Sequence, residues 1–271
     1  VTVNPPDEPR KEIAEIDVNT PNAARTYNYA LGGTANFEAD RAAAQAAAAA
    51  YPGGWDAVQY VARTNRDFLG RAVRFMAGEG IRQFLDLGTG IPDDDNVHAV
   101  AQQAAPESRV VCVDYDPVVL AHAHDLMQST PEGEADFLNG DFRYHEPILR
   151  DAAATIDFDR PVGILLIALL HLFRDEDEPY TLVQRYLDAV PSGSYLAVTH
   201  LTDDLVPMAG LAERINQSMV ETMVLRPHAE IVRFFDGLDV VDPGVVPVDQ
   251  WRPDTPPEGD VVHYAAAARK P

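Results

Sequence analysis

At 271 residues, 46% of them hydrophobic, the chain is long enough for one α/β core with additions, and no stretch approaches the ~20 apolar residues of a membrane span. Its 43 acidic and 21 basic residues leave a formal net charge of -22, which repels a phosphate backbone and makes nucleic acid a poor partner. The acidic start (residues 1–17) lacks the basic and apolar regions of a signal peptide, and the lone Cys112 has no internal disulfide partner, so a cytoplasmic protein without membrane attachment is expected.

Residues 1–19 read as an acidic arm and 28–34 as a loop built around Gly32-Gly33. Asn36 predicts the cap of an Ala-rich helix running to Tyr51, stopped by Pro52-Gly53-Gly54. A second helix over 55–77 carries an apolar stripe through Val58, Val61, Ala62, Phe68, Leu69, Ala72, Val73 and Met76, before Gly78 and Gly80 end it. From there strands alternate with helices: a strand over 83–87, a helix over 97–104, a strand over 109–114, a helix from Pro117 and a short strand over 135–138. The nearly uninterrupted apolar run 162–170 predicts a central strand covered on both faces. A helix over 180–189, a strand over 195–199, helices over 211–223 and 228–235, and a closing pair of strands over 238–241 and 261–267 complete the pattern. Repeated strand–helix units imply a doubly wound, Rossmann-like α/β fold with a mostly parallel sheet.

In such sheets ligands bind beyond the carboxyl ends of the strands. Three features fall there: Asp86-Leu87-Gly88-Thr89-Gly90 after the first strand, Asp114-Tyr115 after the second, and Gly140-Asp141-Phe142 after the third. The dinucleotide fingerprint wants a third Gly and a pyrophosphate on the following helix N-terminus. This chain instead places Asp93-Asp94-Asp95 at that point, where three carboxylates would satisfy the helix dipole and repel a pyrophosphate. One unfavourable charge pair at ~4 Å costs roughly 4 kcal/mol at an effective dielectric of about 20. S-adenosylmethionine, an adenosine joined through a sulfonium to an amino acid, carries no phosphate and avoids that cost.

The order Asp-Leu-Gly-Thr-Gly, an acid after strand two and Gly-Asp after strand three resembles the class I methyltransferases. The resemblance implies that Gly88, Thr89 and Gly90 line the methionine moiety with Asp86 near its amino group. It further implies that Asp114, with Tyr115 beside it, accepts the ribose hydroxyls, and that Asp141 takes the adenine amino group with Phe142 packing nearby. Pro92 stands where the family has its third Gly. A closer resemblance, carried by Asn22–Gly33, residues 64–69, residues 83–90 and residues 113–117, is to an actinobacterial group of S-adenosyl methyltransferases formerly a domain of unknown function. It implies a class I sheet with an antiparallel C-terminal strand and a helical cap. The cap and arm would occupy 1–80, and an S-adenosylmethionine-binding domain 81–271, with a helical insertion near 205–225.

Each candidate has a structural alternative. Asp86 either contacts ligand or fixes the glycine loop; Asp116, before Pro117, reads as the cap of the next helix, which leaves Asp114 for a ligand. Asp141 is either a ligand contact or an Asx-turn. Asn65, on the apolar face of its helix, meets either cofactor or substrate, or else a neighbouring loop. Arg25, Tyr29, Gly32 and Gly33 form either a lid over the cofactor or a plain turn. His171, at the end of the central strand, is a candidate base or acceptor-orienting group or else a strand-end packing residue, and His200, after the fifth strand, and Asp203 are further candidate bases. His98 reads as packing. No spacing of Cys and His suggests a metal. The reaction expected is in-line displacement of the sulfonium methyl by a small-molecule acceptor, with oligomeric state left open. The alternatives are a cofactor-binding regulator without turnover and an NAD(P)-dependent oxidoreductase.

Overall fold

The apolar tetrads and pentads that read as strands each contribute alternate side chains to opposite faces of one sheet, and this alternation builds two cores. In the computed structural model, which describes residues 16–92, 95–126, 128–217 and 221–271, the strands are β1 (Gln83–Leu87), β2 (Arg109–Asp114), β3 (Glu134–Asn139), β4 (Gly163–Leu166), β5 (Tyr195–Leu201), β6 (Asp239–Val240), β7 (Val246–Pro247) and β8 (His263–Arg269). The sheet order is β3-β2-β1-β4-β5-β8-β6, with β7 also on β8. The first five strands run parallel, and β8 lies antiparallel to β5. The doubly wound, mostly parallel sheet with an antiparallel C-terminal strand is therefore present as expected.

The helices are α1 (Ala23–Ala30), α2 (Glu38–Ala50), α3 (Gly54–Gly78), α4 (Val97–Ala104), α5 (Pro117–Leu126), α6 (His145–Ala152), α7 (Pro179–Asp188), α8 (Ala209–Asn216) and α9 (His228–Val232). On one face of the sheet Leu85, Val111, Ile164, Leu196 and Val198 pack against Ile148 of α6 and Leu182, Val183 and Tyr186 of α7. On the other, Phe84, Val110, Leu165 and Ala197 pack against Phe68, Ala72 and Met76 of α3 and Val97 and Ala101 of α4. Each of these larger side chains, when fully buried, contributes about 1.5–3 kcal/mol of transfer free energy. Cys112 is buried in that second core, where burial pushes its thiol up. The α3 stripe divides along its length. Phe68 to Met76 cover the sheet, whereas Val58 and Val61, nearer the N-terminus, remain half-buried.

Several segments depart from the expected pattern. The run 162–170 is strand only to Leu166: Ala168 takes a left-handed conformation (φ 55°), its N–H donates to Thr199 Oγ1 at 2.8 Å, and Leu170–Leu172 forms a 3-10 turn. Those residues are apolar because the turn is buried, not because it is paired. Residues 23–30, in part expected as loop, are helical, because Asn22 accepts from the N–H groups of Ala24 and Arg25 and so caps α1. The helix expected over 211–223 is the shorter α8, and that over 228–235 ends in a 3-10 turn, Arg233–Phe235. Residues 1–15 of the acidic arm, and Asp93 and Asp94 of the triple Asp, lie outside the described residues. Asp95 is exposed in a turn, and Asn96 is the residue before α4. Among the described residues no helix is long and apolar enough to cross a membrane.

Candidate functional site

Strands β1 to β4 end together, and the loops that leave them border a cavity of about 580 Å³ whose opposite wall is built by α1, α2 and the first half of α3. The strand-end wall carries acids. Asp86, the fourth residue of β1, is 2% exposed, and its Oδ2 accepts from Thr89 Oγ1 at 2.5 Å. Its Oδ1 takes no bond from the described residues. Burial raises its carboxyl to about 6, opposed by the Thr89 bond and the Arg66 guanidinium. Asp114 ends β2 and is 7% exposed; Oδ1 accepts from Asp116 N–H at 3.0 Å and Oδ2 from Gly90 N–H at 2.9 Å. Burial raises this carboxyl too, to about 6. Each carboxylate oxygen can accept two bonds, so Asp114 keeps acceptor capacity for a ligand.

Between these acids the glycines hold the loop in shape. Gly88 has φ 73°, and a Cβ there would meet Leu169 Cδ1 at 2.5 Å. Gly90 has φ 69°, and a Cβ there would meet nothing within 4 Å, so the backbone is open to the cavity at this point. Asp116 accepts from Val118 N–H and caps α5, the structural role expected of it. Asp141 is an Asx-turn: its Oδ1 accepts from Arg143 N–H at 3.0 Å, and the Arg143 guanidinium binds both carboxylate oxygens. It lines the cavity but as one half of an ion pair. Phe142 is buried, stacked on Tyr186 at 5.1 Å. Tyr115, 46% exposed, donates its hydroxyl to Glu221 Oε1 at 2.6 Å.

On the facing wall, Asn65 (1% exposed) donates Nδ2 to Tyr27 Oη at 2.9 Å, while its Oδ1 is sealed and without a partner. Arg66 beside it donates to Asn96 Oδ1 and leaves its Nε unpartnered. Glu221 ties this wall to the other: it accepts from Asn22 Nδ2, Ala23 N–H and Tyr115 Oη. Of the expected site residues, Asp86, Gly88, Thr89, Gly90, Asp114, Tyr115, Asp141, Phe142, Asn65 and His171 line this one cavity.

Gly32, Gly33 and His200, also expected at the site, are not among the residues that line it. Gly33 packs on Asn28, where a Cβ would fall 2.2 Å from Nδ2, and Gly32 ends α1 at φ 90°. Arg25 is a buried strut to Asp40 and to the carbonyls of Asp17 and Thr20, and Tyr29 packs on Trp55. His200 sits within β5, fully buried. Since Arg226 only donates, His200 Nε2 accepts from it at 3.0 Å, and Nδ1–H donates to Leu201 O at 2.7 Å. Both nitrogens are therefore occupied. Asp203 is exposed and away from the cavity wall, and His98 is buried in α4.

His171 (5% exposed) borders the cavity from the 3-10 turn after β4, and His263 (4% exposed) borders it from the start of β8. Burial lowers both rings below their ordinary range, His263 to about 3, so both are neutral at neutral pH. Sequence reading missed His263, Arg66, Tyr27 and Glu221. His263 and Glu221 reach the cavity through strand pairing and a loop return, which no local pattern encodes. Arg66 was legible as the neighbour of Asn65 on α3. Among the described residues no group of His, Cys, Asp and Glu is arranged to hold a metal.

The sequence profile of a family described as S-adenosyl methyltransferase matches residues 9–271. The chain is similar to a DUF574-family protein from Streptomyces avermitilis, at 41% identity and a TM-score of 0.89, over 95% of this chain and 100% of that one. It is also similar to a candidate methyltransferase from Thermobifida fusca, at 39% identity and a TM-score of 0.85, over 97% and 98% of the two chains. No curated protein matches it.

Proposed function

The chain belongs to the S-adenosyl methyltransferase family, and on that premise we propose that it moves a methyl group to a small-molecule acceptor held in the same cavity as the cofactor. The observation that carries this reading is the pairing of two buried acids with a glycine backbone open to the cavity. The donor set fits the cofactor's polar groups. Asp86 Oδ1 is free to accept from an ammonium, and the Arg66 guanidinium beside it suits a carboxylate, so the two together match the zwitterionic amino-acid end. Asp114 would accept the ribose hydroxyls, and Phe142 would flank the base. Asp141, already paired with Arg143, would offer that pair's polar edge to the adenine.

When bound, S-adenosylmethionine supplies a methyl on a sulfonium, whose departure leaves a neutral thioether. The protein's task is then to hold the acceptor in line and exclude water, and alignment of this kind can supply much of the barrier reduction. The far end of the cavity, with Val58 and Val61 of α3, Leu201, Ile215 and Met223, is apolar and suits an uncharged acceptor. His171, neutral and enclosed, is a poor proton acceptor and a good orienting group.

The test is calorimetric titration of the wild-type protein with S-adenosylhomocysteine and with NAD in parallel, followed by a metabolite-library assay for methyl transfer. Binding of S-adenosylhomocysteine alone is expected, and Asp114→Ala should weaken it about 10- to 100-fold, the loss of one or two hydrogen bonds to a charged group. Binding of NAD alone would overturn the cofactor assignment. Cofactor binding with no acceptor methylated would sink the transfer reading.

A further inference from the structure

We propose that His171 and His263 form a neutral imidazole pair that anchors a hydroxyl group of an uncharged, largely apolar acceptor; this rests on the cofactor and transfer reading above. The geometry begins with the rings. Their centroids lie 6.1 Å apart, tilted by 54°, and both border the cavity. In each ring Nδ1 is sealed from solvent and has no partner. Among the described residues neither ring makes a hydrogen bond through Nε2, and both rings border the cavity, so Nε2 is the nitrogen left for a ligand. By contrast His200, 5.8 Å from His171, has both nitrogens committed.

Each ring's Nε2 is unpaired among the described residues, so each ring keeps hydrogen-bonding capacity that a group in the cavity can use. A neutral imidazole has one N–H and one lone pair. Two such rings side by side can offer one of each to the same group, and a hydroxyl, which donates one bond and accepts others, is the matching partner. An ammonium could not accept from an imidazole N–H, and a carboxylate could not donate to a lone pair.

The surroundings define the rest of the acceptor. Leu201, which pairs with His263 across β5 and β8, clusters with Val58, Val61, Ile215 and Met223. Ala43, Ala44 and Ala47 of α2 continue that wall. The acids that border the cavity have other roles: Asp86 and Asp114 sit at the strand ends where the cofactor is assigned, Asp116 caps α5, Asp141 pairs with Arg143, Asp177 accepts from Arg174 N–H, and Glu221 holds α1 and Tyr115. A flat or compact apolar skeleton with one hydroxyl matches the apolar side chains and the two rings on this part of the wall.

The probes are 2-naphthol and naphthalene, titrated into protein saturated with S-adenosylhomocysteine. Wild type should bind 2-naphthol at least 10-fold more tightly than naphthalene, and the ring nitrogens of His171 and His263 should shift in long-range 15N–1H spectra with the first ligand only. His171→Phe and His263→Phe should each cut the preference to under 3-fold while leaving S-adenosylhomocysteine affinity within 3-fold, which also reports that the variants are folded. His263→Gln should restore part of the preference. Equal binding of the two probes by wild type, binding of neither, or an unchanged preference in both Phe variants would overturn the anchor. Loss of S-adenosylhomocysteine binding by wild type would instead overturn the cofactor reading, so the two failures are distinguishable.

Discussion

Asp86 and Asp114 are where ligand recognition conflicts with stability. Each carboxyl titrates at about 6 in the fold against an ordinary value of 3.8, because burial penalises the charge. The folded protein therefore holds its proton more tightly than the unfolded chain does. The contribution of each to stability is fully present below about pH 4 and is lost as pH rises through 6, on the order of 3 kcal/mol per group. Ligand binding has the opposite sign, because ionised carboxylates are the better acceptors for an ammonium and for hydroxyls. Asp86→Asn should accordingly raise the ligand-free denaturation midpoint at pH 8 relative to wild type and flatten its pH dependence between 5 and 8. The same variant should bind S-adenosylhomocysteine at least 10-fold more weakly. Denaturant titrations of both proteins at pH 5, 6, 7 and 8 measure the difference, and parallel curves would contradict it.

At the scale of elements, the cap wall depends on one buried carboxylate. Asp40, fully buried in α2, accepts from Asn22 N–H, Arg25 Nε and Phe37 N–H and so joins the starts of α1 and α2. Asp40→Ala strands a buried guanidinium and should cost about 3–5 kcal/mol in denaturant unfolding. Because α1 and its cap residue Asn22 supply Asn22, Thr26 and Tyr27 to the cavity wall, the same change should weaken S-adenosylhomocysteine binding by calorimetry, an effect a remote surface strut would not have. This strut also marks how far sequence reading reaches. Strands β1 and β2 and the start of α5 were legible because uniform apolar runs end in Asp86, Asp114 and the Asp116-Pro117 cap. The acids and glycines of the cavity were legible for the same reason, since they occupy strand termini. Helix α1 was hidden in part, because its cap and its Arg25–Asp40 contact override a polar, loop-like composition. Strand β4 was read too long because burial of Leu169 and Leu170 looks the same in sequence whether the backbone is paired or turned. His263 escaped because only the register of β8 on β5, His263 opposite Leu201, brings it to the cavity.

The whole molecule couples the two walls through the cavity. Helix α3 shares a core with the sheet, its Phe68, Ala72 and Met76 meeting Phe84, Val110 and Leu165, so the sheet-side wall is rigidly mounted. Helices α1 and α2 are different: the apolar side chains they bury are mainly alanines, Ala30, Ala44 and Ala48, which bring little transfer free energy. Segments with little buried apolar area open first, at a fraction of the global free energy. A ligand that touches both walls is bound only while α1 and α2 are closed, so it must raise their opening free energy by RT ln(1 + [L]/Kd), about 2.7 kcal/mol at a ligand excess of ~100 Kd. Amide hydrogen exchange in 23–30 and 38–50 should therefore slow by up to about 100-fold on saturation with S-adenosylhomocysteine. Exchange in β1 and β2, limited by global unfolding, should slow by the same factor, although from a far lower starting rate. If only β1, β2 and the 86–90 loop respond, the ligand sits on the strand ends without the helices. The cavity would then be an open cleft, and the apolar chamber facing His171 and His263 would have no part in holding what binds there.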